Sequence, residues 1–127
     1  MSEFAQYIGK PWVAGGTGPG EFDCWGLLAY VAREHFGCQL PSIMGLTEDE
    51  RREAYRQGLE DGLWRPVEHP QHGDAVLLRG GNSPHVGIYL DIDGGGVLHA
   101  LEGVGVIFSR RVVLPTQGYG RVQFYRL

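Results

Sequence analysis

The second half of the chain carries a series of short apolar runs, most of them joined by only a few residues. This restricts the fold more than any other feature. The runs are Ala75–Arg79, His85–Asp91, Val97–Leu101, Gly105–Ser109 and Val122–Arg126. Strands joined this closely pair antiparallel, because a parallel return needs a crossover of a dozen or more residues. Asp91-Ile92-Asp93-Gly94-Gly95-Gly96 reads as the hairpin turn between the second run and the third.

The first half reads as helix and loop. Residues 2–8 suit a short helix, and Lys10 to Glu21 form a glycine- and proline-rich loop of the kind that shapes a site. A helix then runs from Cys24 to Phe36, capped by Asp23 and stopped by Gly37, with Pro41 soon after. Leu27, Leu28, Val31, Ala32, His35 and Phe36 recur at helical spacing and make its buried face, which Cys24 shares. Thr47-Glu48-Asp49-Glu50 is a capping-box pattern. It opens a sparsely apolar, solvated helix with Arg51, Arg52 and Arg56 following and Gly58 as its stop. Helices followed by antiparallel strands predict an α+β domain, with N-terminal helices packed on a curved antiparallel sheet. No repeat or internal boundary interrupts residues 1–127, so one domain is expected.

Charge and length exclude several roles. At 127 residues, roughly two-thirds of the unfolded surface can be buried, enough for a core without staples. The formal net charge of −4, with Lys10 the only lysine, argues against nucleic acid as a partner. No apolar stretch approaches the ~20 residues of a membrane helix, and the N-terminus MSEFAQYIGKPW does not read as a signal peptide. Synthesis in the cytoplasm, without membrane insertion, is therefore expected.

The chemistry concentrates in Gly20-Glu21-Phe22-Asp23-Cys24-Trp25-Gly26-Leu27-Leu28. A thiol in the first turn of a helix meets unpaired N–H groups and the positive end of the dipole, which stabilise a thiolate. Gly26 costs helix stability relative to alanine, which makes sense if another segment must approach there. A nucleophilic thiol needs a base. His85 opens one strand and His99 lies on the next, and a register pairing residues 87 and 99 puts both on one face as diagonal neighbours. Gly87, next on that face, leaves room for a helix end. His35 reads as a satisfied core residue, and His69 and His72 as solvent-exposed. A zinc site built on His69-Pro70-Gln71-His72 is the rival use of these side chains, disfavoured because no second cysteine stands nearby. Cys38 reads as packing, and a Cys24–Cys38 disulfide is disfavoured by the length of the helix between them.

Gly9-Lys10-Pro11-Trp12-Val13-Ala14-Gly15-Gly16-Thr17, running into Phe22-Asp23-Cys24-Trp25-Gly26-Leu27, resembles the NlpC-type cell-wall peptidases. Gly73-Asp74-Ala75-Val76, His85-Val86-Gly87-Ile88-Tyr89-Leu90 and His99-Ala100 are similar to the later motifs of that family, in order. The Asp-Cys-Trp-Gly spelling, Leu40-Pro41 and the closing Phe124-Tyr125-Arg126 look most like its phage and prophage branch, which includes tail-assembly and tail-tip proteins.

The resemblance implies a papain-like fold and cleavage of peptidoglycan stem peptides, often at γ-D-glutamyl linkages to a diamino acid, with no cofactor and no metal. It implies Cys24 as nucleophile, paired as thiolate with an imidazolium His85, and His99 as the third polar residue. Phage tail-tip proteins are the implied partners, and the bacterial cell wall the place of action. Trp12 stands where many relatives have the tyrosine beside the nucleophile, and Trp25 where most have serine. With Asp23, these are the expected substrate-side residues, although Asp23 reads first as a helix cap. A tail-assembly protein that keeps the fold for docking is the alternative.

Overall fold

The structure, a computed structural model, describes residues 3–40, 48–80 and 85–127. Among the described residues the first element is a 3-10 turn, Glu3–Tyr7, inside the span where a short helix is expected. Gly9, at φ 90°, turns the backbone there, and its N–H donates to the Val106 carbonyl at 2.9 Å. Val106 N–H returns a bond to the Lys10 carbonyl at 2.9 Å, so the start of the glycine-rich loop is tied to a strand of the sheet.

Helix α1 spans Cys24–Phe36, with Asp23 as its N-cap and a left-handed Gly37 closing it, as the sequence predicts. Leu27, Leu28, Val31 and Ala32 are buried, and His35 and Phe36 are half-buried. Helix α2 spans Glu48–Glu60. The expected cap at Thr47 lies outside the described residues, and Gly58 is not the stop. The helix continues past it, because the missing side chain is where the Trp64 indole packs: a Cβ on Gly58 would lie 2.1 Å from that ring. Arg56 pairs with Glu53 and Glu60 along the exposed face. Such pairs contribute only tenths of a kcal/mol each, so Trp64 is the substantial link from this polar helix to the core.

The strands are β1 (Arg65–Val67), β2 (Ala75–Arg79), β3 (His85–Leu90), β4 (Gly96–Leu101), β5 (Gly105–Arg110) and β6 (Arg121–Arg126). They form one antiparallel sheet in the order β1-β6-β2-β3-β4-β5. Two elements have no counterpart in the sequence reading: β1, and a 3-10 helix over Arg111–Gln117. The short Arg-Pro-Val run lacks alternation, so only its partner β6 makes it a strand. The turn after β3 is built as expected, with Asp93, Gly94 and Gly95 all at positive φ.

The two faces of the sheet carry separate clusters. Leu27, Leu28 and Val31 of α1 join Val86, Ile88, Leu98 and Ala100 in the larger one. Val76, Leu78, Tyr89, Val97, Leu114 and Phe124 form the smaller one on the other face. Buried Asp74 ties the strands to the chain end: its carboxylate accepts from Arg126 Nε at 2.7 Å and Nη2 at 3.1 Å. The Gly73-Asp74 motif is thereby structural. Among the described residues, no helix is long and apolar enough to cross a membrane.

Candidate active site

The cysteine is presented by a rigid corner. Asp23 accepts from the Gly26 N–H at 2.6 Å through Oδ1 and from the Gly15 N–H at 3.1 Å through Oδ2. Its own N–H donates to the Gly16 carbonyl at 2.9 Å. The capping carboxylate therefore joins the helix start to the glycine-rich loop. Gly26 has the expected reason: a Cβ there would sit 1.9 Å from the Gly16 carbonyl oxygen. Cys24, half-buried, stands at the first residue of α1 and is not in a disulfide. Nor is Cys38, its Sγ donating to the Phe36 carbonyl at 3.6 Å.

The histidines meet as their strands' register dictates. Ile88 pairs with Leu98 and Tyr89 with Val97, the register that sets residue 87 opposite residue 99. His85 Nε2 lies 2.8 Å from His99 Nδ1. His99 is fully buried, and its Nε2 lies 2.8 Å from Ser109 Oγ on β5. Gly87 makes room for β4, not for a helix end. The nearest atoms a Cβ there would meet are Val97 Cγ1, the Leu98 carbonyl oxygen and His99 Cβ, at 2.6, 2.8 and 3.0 Å. The cause is the alternation of the strand, which turns Gly87 away from the residues that α1 packs on.

Tyr119 completes the group. Its ring stacks on His85, with centroids 5.6 Å apart and planes 11° from parallel, and meets His99 edge-on at 6.0 Å. Burial raises its phenol pKa, and the charge of Cys24 raises it further, which sets the thiol within electrostatic range of the ring that covers His85. Burial lowers the pKa of His85 to about 4. Burial lowers that of His99 to about 3, helped by the charge of His85. Both imidazoles are therefore neutral near pH 7. This works against the resting thiolate–imidazolium pair expected from sequence, since desolvation penalises the charged imidazolium.

The other expected site residues are placed less centrally. Trp12 is half-buried against the main core, its backbone bridged to Phe22. Trp25 is only 8% exposed and meets Trp64 edge-to-face at 5.9 Å, so it is packing rather than a wall open to a ligand. The carboxylate of Asp23 is turned to backbone N–H groups as a cap. His35 is satisfied by the Tyr7 hydroxyl at 2.7 Å and Glu3 at 3.2 Å. His72 Nδ1 accepts from the Asp91 N–H at 3.0 Å, and among the described residues no cluster of three or more His, Cys, Asp or Glu is set to hold a metal. Ser109 and Tyr119 are absent from the sequence reading. The hairpin after Leu101 pairs Ser109 with Val97 and so puts it on the His99 face, a signal that was available. Tyr119 lies outside any strand and has no such signal.

Comparison with known proteins settles the relationship. The NlpC/P60 family pattern matches residues 9–117. The chain belongs to the NlpC/P60 family. This domain is 31% identical over 110 residues to the murein DD-endopeptidase MepS/murein LD-carboxypeptidase of Escherichia coli strains K12 and O157:H7. That alignment takes in 86% of the chain and 52% of the relative, so the chain spans about half the length of the curated relatives it matches. The NlpC/p60 domain of the peptidoglycan hydrolase SagA is similar in structure, with a TM-score of 0.58 at 26% identity over 94% of this chain and 90% of that one. A Staphylococcus aureus Mu50 protein of the same family, described as similar to lipoprotein, has a TM-score of 0.54 at 25% identity. It is covered over 37% of its length, with 92% of this chain matched. The NlpC/P60 domain thus has the papain-like α+β architecture expected from its motifs.

Proposed function

We propose that this NlpC/P60 domain is a cysteine peptidase that hydrolyses peptide bonds in peptidoglycan stem peptides, at γ-D-glutamyl linkages to a diamino acid. The observation that carries the reading is the His85–His99–Ser109 chain, buried at His99 and Ser109, with Tyr119 stacked on His85 and within electrostatic range of the thiol at the start of α1. Names of the relatives above, a murein endopeptidase and a peptidoglycan hydrolase, support the substrate class.

The hydrogen-bond chain has two polarities, and one of them makes a base. If Ser109 Oγ accepts from His99 Nε2–H, then His99 Nδ1 accepts from His85 Nε2–H. His85 Nδ1 is left with its lone pair. It takes the Cys24 proton as sulfur attacks the scissile carbonyl, and the Cys24 N–H at the helix start stabilises the oxyanion. His85 then protonates the leaving amine, and water, activated by the same nitrogen, releases the acyl group. His99→Ala is expected to lower kcat roughly 100-fold, the low end of what a positioned proton-transfer group contributes, while His99→Asn retains more. Equal kcat for wild type and His99→Ala removes His99 from the mechanism.

Trp12 is the second oxyanion donor in this reading, its indole N–H standing in for the tyrosine hydroxyl of relatives. Trp12→Phe should then lower kcat about 10-fold or more at little changed KM, because the bond forms mainly in the transition state. A variant with a lower Tm and an unaltered kcat shows packing instead.

The motif spelling around Cys24 and at the chain end supports a phage or prophage enzyme that reaches the wall with tail-tip proteins. Mass spectrometry of purified particles tests that setting on its own, and absence of the chain from them removes it. The peptidase reading is tested by digesting purified peptidoglycan and identifying the released muropeptides by mass spectrometry. Wild-type protein that releases no fragments overturns it in favour of a docking role for the fold.

A further inference from the structure

Tyr119 lies beyond the last residue matched by the family pattern, yet it touches both histidines of the site. The fold holds it from several directions. The 3-10 helix Arg111–Gln117 is anchored by buried Leu114, whose carbonyl accepts from the Tyr119 N–H at 3.2 Å. Gly118 turns the chain at φ 96°. Gly80, at the end of β2, lets this corner close: a Cβ there would lie 1.6 Å from the Gly118 carbonyl oxygen and 3.0 Å from Tyr119 Cα. A loop held this tightly, with its aromatic ring parallel to an imidazole, is built to fix that imidazole.

We propose that Tyr119 is a positioning residue for His85, its ring clamping the imidazole in the plane where Nε2 meets His99 and Nδ1 is presented for the Cys24 thiol. This rests on the reading of His85 as the base. The ring constrains rotation about the two side-chain torsions of His85, which the single hydrogen bond to His99 leaves partly open. It also covers one face of the imidazole from water, and burial is the cause of the low His85 pKa. Among the described residues, the titratable groups around His85 are His99 from β4 and Tyr119 itself, with Cys24 of α1 in range of Tyr119.

Wild type, Tyr119→Phe and Tyr119→Leu separate the ring from the hydroxyl. Imidazole titration by NMR and the pH profile of kcat/KM are recorded on all three, with Tm as the control for folding. In Tyr119→Leu the His85 pKa should rise by about one unit or more toward the unperturbed value near 6.5, and kcat should fall about 10-fold through misplacement of the base, at nearly constant KM. Tyr119→Phe should match wild type in both. Tyr119→Met, unbranched and without a ring, replaces the leucine variant if that one does not fold. An unshifted His85 titration in the leucine or methionine variant overturns the proposal, as does a phenylalanine variant as impaired as either. The titration needs no substrate. A wild type inert toward peptidoglycan therefore counts against the hydrolase reading alone, while the NMR arm still decides Tyr119.

Discussion

Cys24→Ala and His85→Ala are each expected to lower stem-peptide hydrolysis by about 10⁴-fold, and the double variant is expected to be hardly worse than either. In the proposed mechanism nucleophile and base act as one unit. Without the thiol there is no acyl-enzyme. Without His85 no positioned group takes the thiol proton or returns it to the leaving amine. The residual rate comes from oxyanion and substrate contacts that both variants keep. Cys38→Ala is the internal control. Its sulfur lies past the far end of α1, bonded to the Phe36 carbonyl, and its loss should leave turnover near wild type. Kinetics on one defined muropeptide with the four variants decides the matter. A Cys24→Ala protein that still cleaves at a tenth of the wild-type rate, for instance, moves the nucleophile elsewhere. Additive losses in the double variant break the unit apart.

The desolvated histidine pair also predicts how the fold responds to acid. His85 and His99 have folded pKa values lowered to about 4 and about 3, against an ordinary value of 6.5, because burial disfavours the charged rings. A depressed folded pKa contributes stability that is complete above the unfolded value and is lost as pH falls through the folded one. Between pH 6.5 and about 4 the unfolded chain binds the protons that the folded chain refuses. By pH 5 the loss reaches on the order of 2 kcal/mol for each histidine, a sizeable part of the ~5–15 kcal/mol that holds a domain of this kind together. Urea midpoints should therefore fall steadily from pH 7 to pH 5. In His99→Asn the slope over this interval should drop by about half, since one of the two groups no longer titrates. A wild-type midpoint that stays flat over the same range shows that these rings accept protons in the folded state and are not shielded as described.

Local patterns were enough to determine much of this protein. Asp23, Cys24, Gly26 and Gly37 bound α1 to the residue, because capping chemistry and left-handed glycine act over a few neighbours. Alternation, together with the Asp91–Gly96 turn, fixed the register of β3 on β4 and so brought His85 to His99. Motif order named the family. Other features only the tertiary structure decided. The insertion of β6 between β1 and β2 joins segments more than forty residues apart, and nothing in Arg65–Val67 announces a strand until β6 lies beside it. Gly58 reads as a helix stop in sequence, and its role changes once Trp64 fills the space above it. The neutrality of the two histidines follows from burial, which depends on the whole packed sheet rather than on neighbours in the chain. Tyr119 is the clearest case. Its place over His85 is set by Leu114, Gly118 and Gly80 just past β2, contacts made through space by residues that carry no shared pattern.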